Sequence, residues 1–181
     1  MKPDIKKGWL STARQVASPN CDDRPEKTDI SLLVIHCISL PPDESGGPWI
    51  DAFFSNTLDP DQHPYFGEIR QLKVSSHLLI RRDGECVQYV PFHKRAWHAG
   101  DSHYEDVSNC NDYSIGIELE GSENLPYEEI QYKILADGTR AILGNYPTMT
   151  TDRITVHCDI APERKKDPGP FFDWKKYRAL I

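Results

Sequence analysis

The chain has 181 residues and a mass of 20.7 kDa, a length that predicts one domain over residues 1–181. Hydrophobic residues make up 38% of the chain and charged residues 27%, and no apolar run approaches the roughly 20 residues of a membrane span, which excludes an integral membrane protein. The 28 Asp and Glu outnumber the 21 Lys and Arg, and the cations form no long run, so we expect neither nucleic acid nor a membrane as a partner.

The cysteines indicate a reducing compartment. There are five: Cys21, Cys37, Cys86, Cys110 and Cys158. Their number is odd, their spacing is wide and they form no C-x-x-C pair, which favours free thiols over a disulfide framework or a zinc knuckle. The opening segment also lacks the apolar stretch of a secretory signal. Both features predict a cytoplasmic location.

The first strongly apolar segment follows a polar, turn-rich stretch. Residues 1–29 have only Trp9 and Leu10 as a clear anchor. Residues 30–38 form an apolar run rich in β-branched side chains, and this pattern predicts a buried central strand.

A long connection over residues 39–74 comes next. It holds a short helix candidate at residues 48–56, where proline can occupy the first turn, and a loop over residues 59–67. A connection of this length typically forms a lid or a binding loop.

The middle of the chain predicts further strands. Residues 75–81 and 85–90 flank Arg82-Asp83-Gly84, which is a hairpin signature with glycine where a positive φ is needed. Residues 113–119 form another β-like run.

Helical periodicity appears towards the end of the chain. Residues 125–145 predict an amphipathic helix with its apolar side chains on one stripe, and residues 154–157 and 171–181 predict a short strand and a last helix. Because helices and strands interleave, we expect a mixed α/β (α+β) fold in which helices flank a mixed β-sheet.

Two histidines stand where apolar strands end. His36 closes the predicted central strand and His157 closes the short strand, so both can face one cleft and bind a metal ion, although each alone is also compatible with a structural histidine. Asp167 precedes a Pro-Gly turn, after a proline-bounded loop too irregular for a helix, and can return a carboxylate to the strand ends. Two imidazoles and one carboxylate predict an open catalytic zinc site. The alternative is that Asp167 caps the last helix.

Amide hydrolysis at such a site also needs a base and a charge that stabilises the oxyanion. Glu118 shares one face of its strand with Gly116 and Glu120, and a carboxylate in an apolar strand is costly unless it is paired or reactive. We therefore favour Glu118 as the base and expect Glu120 near solvent. Lys165 can direct an ammonium into the site, with a solvated loop lysine as the alternative.

Several segments carry a resemblance to a known family. They are Leu33-Val34-Ile35-His36, Gly47-Pro48-Trp49-Ile50-Asp51-Ala52, His63-Pro64-Tyr65-Phe66, residues 76–84, residues 94–100, Cys110-Asn111-Asp112, residues 114–121 and residues 161–174. Almost end to end, the chain resembles the AmpD-type anhydro-N-acetylmuramoyl-L-alanine amidases of bacteria. Several of the motifs are shared with the wider zinc amidase and peptidoglycan-recognition superfamily.

The resemblance implies a mixed sheet with flanking helices and a zinc ion held by His36, His157 and Asp167. It also implies that Glu118 and Lys165 are the catalytic pair. The implied reaction is hydrolysis of the amide between the lactyl group of anhydro-muramic acid and the L-alanine of the stem peptide, during cell-wall recycling in the cytosol. The expected partner is a small muropeptide, and the expected state is a monomer.

This substrate suggests roles for four other residues. Trp97 would offer a flat face to the sugar, with burial in the core as the alternative, and His98 would be its polar neighbour. Tyr65 is expected to line the cleft. His77 lies in mid-strand, where we expect a structural role.

The chain departs from the family pattern at three positions. Cys37 follows the first zinc histidine where the family usually has asparagine, and Asn109 lies in a loop where similar proteins carry arginines. Lys73 stands where arginine is expected; as a contact to the stem-peptide carboxylates it lacks the bidentate grip of arginine. Neither Cys37 nor Cys158 is expected to bind the metal, because neighbouring strand residues face opposite ways.

Two other functions stay open at this stage. One is a non-catalytic peptidoglycan-binding module that has lost the third metal ligand, which the presence of Asp167, Lys165 and Glu118 opposes. The other is a secreted or phage-type amidase acting on intact murein, which the unpaired cysteines oppose.

Overall fold

The computed structural model describes residues 3–181. The strands are β1 (Ile5–Lys6), β2 (Trp9–Leu10), β3 (Arg14–Gln15), β4 (Cys21–Asp23), β5 (Leu32–Ile38), β6 (Leu78–Ile80), β7 (Cys86–Gln88), β8 (Lys94–Ala96), β9 (His103–Tyr104), β10 (Val107–Ser108), β11 (Ser114–Glu120) and β12 (Ile154–Val156). The α-helices are α1 (Trp49–Phe54), α2 (Pro64–Ile69), α3 (Glu129–Asn145), α4 (His157–Ile160) and α5 (Trp174–Arg178), and 3₁₀ turns occur at Cys110–Asp112 and Thr151–Arg153.

One mixed sheet of six strands, in the order β12-β5-β11-β6-β7-β3, organises the molecule. The strands β12, β5, β11 and β6 are mutually parallel, β6 and β7 form an antiparallel hairpin, and β3 adds to β7 in parallel. The adjacent inner strands β5 and β11 are the longest, and β11 is buried along its whole length. Long apolar strands in mid-sheet are expected when both faces are covered.

Different elements cover the two faces of the sheet. Side chains of α3 pack with Leu33 and Ile35 of β5 and with Ile117 of β11 in the largest apolar cluster. Helices α1 and α2 pack against Leu79 and Val87 in a second cluster, on the other face. Because strand residues alternate between faces, His36 and Glu118 project from the face opposite α3.

The predicted fold class is confirmed, as are the central strand, the helix after Pro48 and the hairpin. The turn of the hairpin contains Gly84 at a φ of +90°, a conformation that side chains with a Cβ rarely adopt. None of the helices in residues 3–181 combines the length and the apolar composition needed to cross a membrane.

Several boundaries differ from the prediction. Helix α3 begins only at Glu129, because Glu128 and Gln131 form a reciprocal capping box at that point. Helix α2 lies in the stretch predicted as a loop, where the His63 side chain accepts a hydrogen bond from the backbone of Tyr65. The polar stretch before residue 30 supplies four short strands.

Helix α5 is shorter than predicted and begins after Asp173, whose side chain accepts a hydrogen bond from Lys176. The alternative that Asp167 caps this helix is therefore wrong. The segment after His157 is also not wholly irregular, since it opens with the helical turn α4.

The prediction that Glu120 lies near solvent is wrong as well. The Glu120 side chain is buried and accepts hydrogen bonds from Arg81 Nη1 at 3.1 Å, from the backbone of Gly46 at 2.8 Å and from the backbone of Arg82 at 3.1 Å. These donors come from β6, its turn and the 39–47 loop, so the local sequence around Glu120 carries no sign of them.

Candidate active site

Strand register brings the first two site residues together. In the parallel pair β5 and β11, His36 lies opposite Glu118, so the imidazole and the carboxyl project side by side from one face of the sheet. His157 follows the last residue of β12, which is the other neighbour of β5. The carboxyl ends of adjacent parallel strands are where α/β sheets typically bind ligands.

The loop after α4 returns Asp167 to these histidines. Its Oδ2 lies 3.0 Å from His157 Nδ1 and 3.5 Å from His36 Nδ1, and the backbone of Cys158 donates a hydrogen bond to the Asp167 carbonyl. All three side chains are buried or nearly so. The imidazole rings of His36 and His157 meet edge to face, with centroids 4.3 Å apart.

The surroundings of the imidazole nitrogens show what these three groups can hold. His157 Nε2 lies 3.4 Å from the carbonyl oxygen of Ala99 and Nδ1 lies 3.0 Å from Asp167 Oδ2, so both ring nitrogens face oxygens that accept hydrogen bonds. A hydrogen on Nε2, directed at Ala99, would leave the lone pair of Nδ1 free for a metal ion. His36 Nδ1 is buried beside it without a hydrogen-bond partner.

Three electron-pair donors therefore converge on one point, which is unfavourable unless a proton or a cation lies between them. Ligands about 2 Å from a tetrahedral ion lie about 3.3 Å from one another, close to the two distances seen here. His36, His157 and Asp167 thus fit a divalent metal ion, and an N, N, O donor set suits zinc.

The electrostatics agree with a cation site. Burial, and after it the neighbouring His157, lower the pKa of His36 to about 4, so this ring is neutral at physiological pH. Burial alone would raise the pKa of Asp167, but the close imidazoles of His157 and His36 outweigh this effect and hold it below the usual range. A neutral imidazole and an ionised carboxylate are the forms that bind metals.

Glu118 occupies an unusual position beside this group. Only 8% of the residue is exposed, and its Oε2 is buried without a hydrogen-bond partner. Burial raises the pKa of Glu118 well above its usual value and the charge of Asp167 raises it further, while the ammonium of Lys165 opposes both. A carboxyl group shifted towards neutral pH is suited to accept and return a proton.

These groups line a cleft of about 330 Å³ that contains Glu118, His157, Lys165 and Asp167. Lys165 is half-buried at its edge. The 39–74 connection supplies much of the opposite wall: Ser39, Leu40, Pro42, Phe53, Phe54, Tyr65, Ile69, Leu72 and Val74. The segment predicted to be a lid or a binding loop therefore borders the cleft directly.

The predicted substrate contacts fall into two groups. Trp97 and Tyr65 line the cleft, and Trp97 is half-buried there, with its indole nitrogen donating to Asp22 at 3.2 Å. Lys73 is exposed and is not among the residues that line the cleft. His98 borders the cleft, but both of its ring nitrogens already contact protein groups, namely His36 and Ser114.

The departures Cys37 and Asn109 lie at different distances from the site. Cys37 packs with the core on the α3 side and also borders the cleft, and burial raises the pKa of its thiol to about 12. Asn109 is exposed and takes a left-handed conformation before the 3₁₀ turn.

Sequence reasoning missed Arg24, whose hydrogen bonds join several segments of the backbone. Arg24 donates hydrogen bonds to four backbone carbonyls, those of Phe92, Asn111, Asp112 and Ser114. His77, which was expected to be structural, is fully buried and accepts a hydrogen bond from the backbone of Gly116 at 3.0 Å. Arg24 lies in a polar, turn-rich stretch, where nothing distinguishes it from a surface arginine.

Comparison with known proteins identifies the family to which the chain belongs. Residues 26–170 match the family model described as N-acetylmuramoyl-L-alanine amidase. The chain belongs to this family, which confirms both the predicted resemblance and the predicted enzyme class.

Individual relatives show which members of the family the chain resembles. A 1,6-anhydro-N-acetylmuramyl-L-alanine amidase AmpD from Salmonella typhimurium (strain SL1344) is 60% identical over 181 residues, which cover 100% of this chain and 95% of the relative. The crystal structure of a selenomethionine derivative of AmpD is 59% identical, covers 98% of each chain and superposes with a TM-score of 0.95.

A more distant structure contains a ligand. It is the complex of the N-acetylmuramyl-L-alanine amidase AmiD from E. coli with anhydro-N-acetylmuramic acid-L-Ala-D-γ-Glu-L-Lys. It is 29% identical, with a TM-score of 0.60, and covers 99% of this chain and 65% of the AmiD chain.

Proposed function

We propose that this chain is a zinc amidase that hydrolyses the bond between 1,6-anhydro-N-acetylmuramic acid and L-alanine in muropeptides, and so serves peptidoglycan recycling. The observation that carries the proposal is the convergence of His36, His157 and Asp167 at a cleft that His157 and Asp167 line together with Glu118 and Lys165. The name of the 60% identical relative and the ligand of the AmiD complex support this substrate class.

In this proposal His36 and His157, each through Nδ1, and a carboxylate oxygen of Asp167 would hold the zinc ion. When bound, zinc would supply Lewis-acid polarisation of a carbonyl and lower the pKa of a water molecule. A hydrogen bond from His157 Nε2 to the Ala99 carbonyl would keep Nδ1 free for the metal.

Glu118 acts as the general base. It takes a proton from the attacking water and returns it to the amine of L-alanine as the C–N bond breaks, so the products are a free carboxylate on the sugar lactyl group and a free peptide. Its raised pKa and its unpartnered Oε2 suit this exchange. Lys165 stabilises the negative charge that develops on the amide oxygen.

The walls of the cleft position the substrate. Trp97 presents an aromatic face at one side, which suits stacking against a sugar, and Tyr65 lies on the wall that the 39–74 connection forms.

We further infer a cytoplasmic monomer with one domain over residues 1–181. All five cysteines are free, which suits a reducing compartment. One sheet joins β3 near the amino end to β12 near the carboxyl end, which argues against two separate units.

The test is hydrolysis by the purified protein. We expect release of free peptide from anhydro-muramoyl tripeptide, loss of this activity with a chelator and its return with zinc. Metal analysis should find about one zinc per chain. His157→Ala should lose both zinc and activity, while the matched variant His103→Ala, at an exposed histidine of the short strand β9, should keep both.

The same assay on murein sacculi separates the other functions. A non-catalytic binding module would retain muropeptide without releasing peptide, and a wall-lytic enzyme would cleave sacculi as fast as soluble muropeptide. Either result, or full zinc occupancy in His157→Ala, contradicts the proposal.

A further inference from the structure

We propose that His98 and Ser114 are positioning residues that fix the orientation and the tautomer of His36, so that its Nδ1 faces the metal site. The inference deepens the proposed function, since it concerns the zinc-binding face of His36. It stands on hydrogen bonds within the chain and can be tested without zinc.

The hydrogen-bond chain begins at a group that cannot donate. The carbonyl oxygen of Cys110 lies 2.5 Å from Ser114 Oγ, so the single hydroxyl hydrogen of Ser114 is directed to that carbonyl. Ser114 Oγ also lies 3.1 Å from His98 Nε2. Because the hydroxyl hydrogen is already used, His98 Nε2 must donate to Ser114.

The direction of this bond determines the next one. A neutral imidazole that carries its hydrogen on Nε2 has a bare lone pair on Nδ1. His98 Nδ1 lies 2.9 Å from His36 Nε2, so His36 Nε2 is the donor.

The chain ends at the metal site. With its hydrogen on Nε2, His36 presents a lone pair on Nδ1, which is buried, has no hydrogen-bond partner and lies 3.5 Å from Asp167 Oδ2. Four groups in series therefore select one of two tautomers: the Cys110 carbonyl, Ser114, His98 and His36. Fixing a ligand imidazole through the hydrogen bond of its other nitrogen commonly tunes metal affinity.

The backbone is built to receive the His98 ring. A Cβ added to Gly116 would lie between 2.5 and 2.7 Å from three ring atoms of His98, so only glycine leaves room for this imidazole beside β11. The backbone nitrogens of His98 and Ala99 both donate to Asn111 Oδ1, at 3.0 and 2.8 Å. The His98 ring then meets the His36 ring edge to face, with centroids 4.9 Å apart.

The first measurement is made on the wild-type protein without metal. Ring ¹⁵N chemical shifts of the histidines distinguish the two neutral tautomers. We expect His36 and His98 both to carry hydrogen on Nε2. A His36 ring with its hydrogen on Nδ1 overturns the proposal, whether or not the protein proves to be a zinc amidase.

The second measurement is zinc affinity, by competition with a chelating dye. His98→Phe removes the acceptor for His36 and should weaken zinc binding about 10- to 100-fold. His98→Asn offers an amide oxygen near the position of Nδ1 and should recover most of the affinity. The control His103→Phe, at an exposed position of β9, should bind zinc like the wild type.

Ser114→Ala is the second variant and keeps the ring in place. It should mix the tautomers of His98 and His36 and weaken zinc binding less than His98→Phe does. Unchanged ¹⁵N shifts and zinc affinity within about twofold of wild type in folded Ser114→Ala overturn the proposal, even if His98→Phe fails to fold. Loss of amidase activity with wild-type tautomers and affinity would also assign another role to Ser114.

Discussion

Glu118 and Glu120 are two residues apart on β11, face the same side of the sheet and are both buried, yet their surroundings are opposite. Glu120 accepts three hydrogen bonds, including one from the Arg81 guanidinium. Glu118 has an oxygen with no partner and faces the cleft. The contrast shows that burial of a carboxylate alone does not mark a reactive group. Burial without partners, beside other convergent groups, marks it better.

The two regions also differ in what they hold together. Around Glu120, Arg81 further pairs with Asp51, so β6, α1 and the 39–47 loop are tied to β11. Around Glu118, the donor atoms of His36, His157 and Asp167 converge without satisfying one another. The first region stabilises the fold, whereas the second keeps groups free for a ligand.

The largest expected effect comes from removing the unpaired carboxylate. Glu118→Gln should lower kcat by about two to four orders of magnitude, because an amide cannot accept the proton of the attacking water. Zinc content and KM should stay near wild type, since Glu118 is not a metal ligand in the proposed site. Steady-state kinetics and metal analysis of one preparation provide the check, and a near-normal kcat would remove Glu118 from its role as the base.

Substitutions of Lys165 test the catalytic role of the positive charge that faces Glu118. Lys165→Ala should lower kcat by about two to three orders of magnitude through loss of oxyanion stabilisation, with zinc retained. Lys165→Arg should restore only part of the rate, because a planar fork does not replace a compact ammonium. The exposed neighbour provides the control Lys166→Ala, which should keep wild-type kcat. Loss of zinc from Lys165→Ala would instead show that the lysine positions the Asp167 loop.

Substitution of Glu120, the paired carboxylate, should lower stability rather than kcat. Glu120→Gln keeps the shape but loses the charge that binds Arg81, so the free energy of unfolding should fall by about 1 to 3 kcal/mol. Its kcat should change far less than that of Glu118→Gln. Urea denaturation of both variants gives the comparison, and equal stability with a large loss of kcat in Glu120→Gln would reverse the two assignments.

The smallest expected effect concerns the buried histidine His77, which also lies apart from the cleft. Burial lowers the pKa of His77 well below its usual value, and the charge of Arg24 adds to the effect. The unfolded chain takes up a proton below about pH 6.5 that the folded His77 refuses, so the stability contributed by His77 is present above that pH and is lost as the pH falls.

For this one proton, the free energy of unfolding can change by at most about 1.4 kcal/mol per pH unit. Denaturation between about pH 5 and 6.5 should show a shallower pH dependence in His77→Asn than in the wild type. The control variant His103→Asn, at an exposed position of β9, should keep the wild-type slope. Parallel slopes in all three proteins would mean that His77 takes up its proton in the folded state.

Local patterns in the sequence determined a large part of this structure. The apolar run of β5, the alternation in β11 and the Arg82-Asp83-Gly84 turn each predict an element, because burial and turn geometry act over a few neighbouring residues. The candidates His36 and His157 followed from their positions at strand ends. Adjacent parallel strands bring these two histidines together, whereas Asp167 also requires the loop after α4 to return.

Only the tertiary structure decided which polar groups are paired. Glu118 and Glu120 look alike in the sequence, and the difference comes from Arg81 on another strand, 39 residues away along the chain from Glu120. The same holds for His98, whose partner His36 lies 62 residues away, and for Arg24, which meets carbonyls 68 to 90 residues away. A hydrogen bond needs two groups about 3 Å apart, and that distance is set by strand register and loop packing rather than by either local segment.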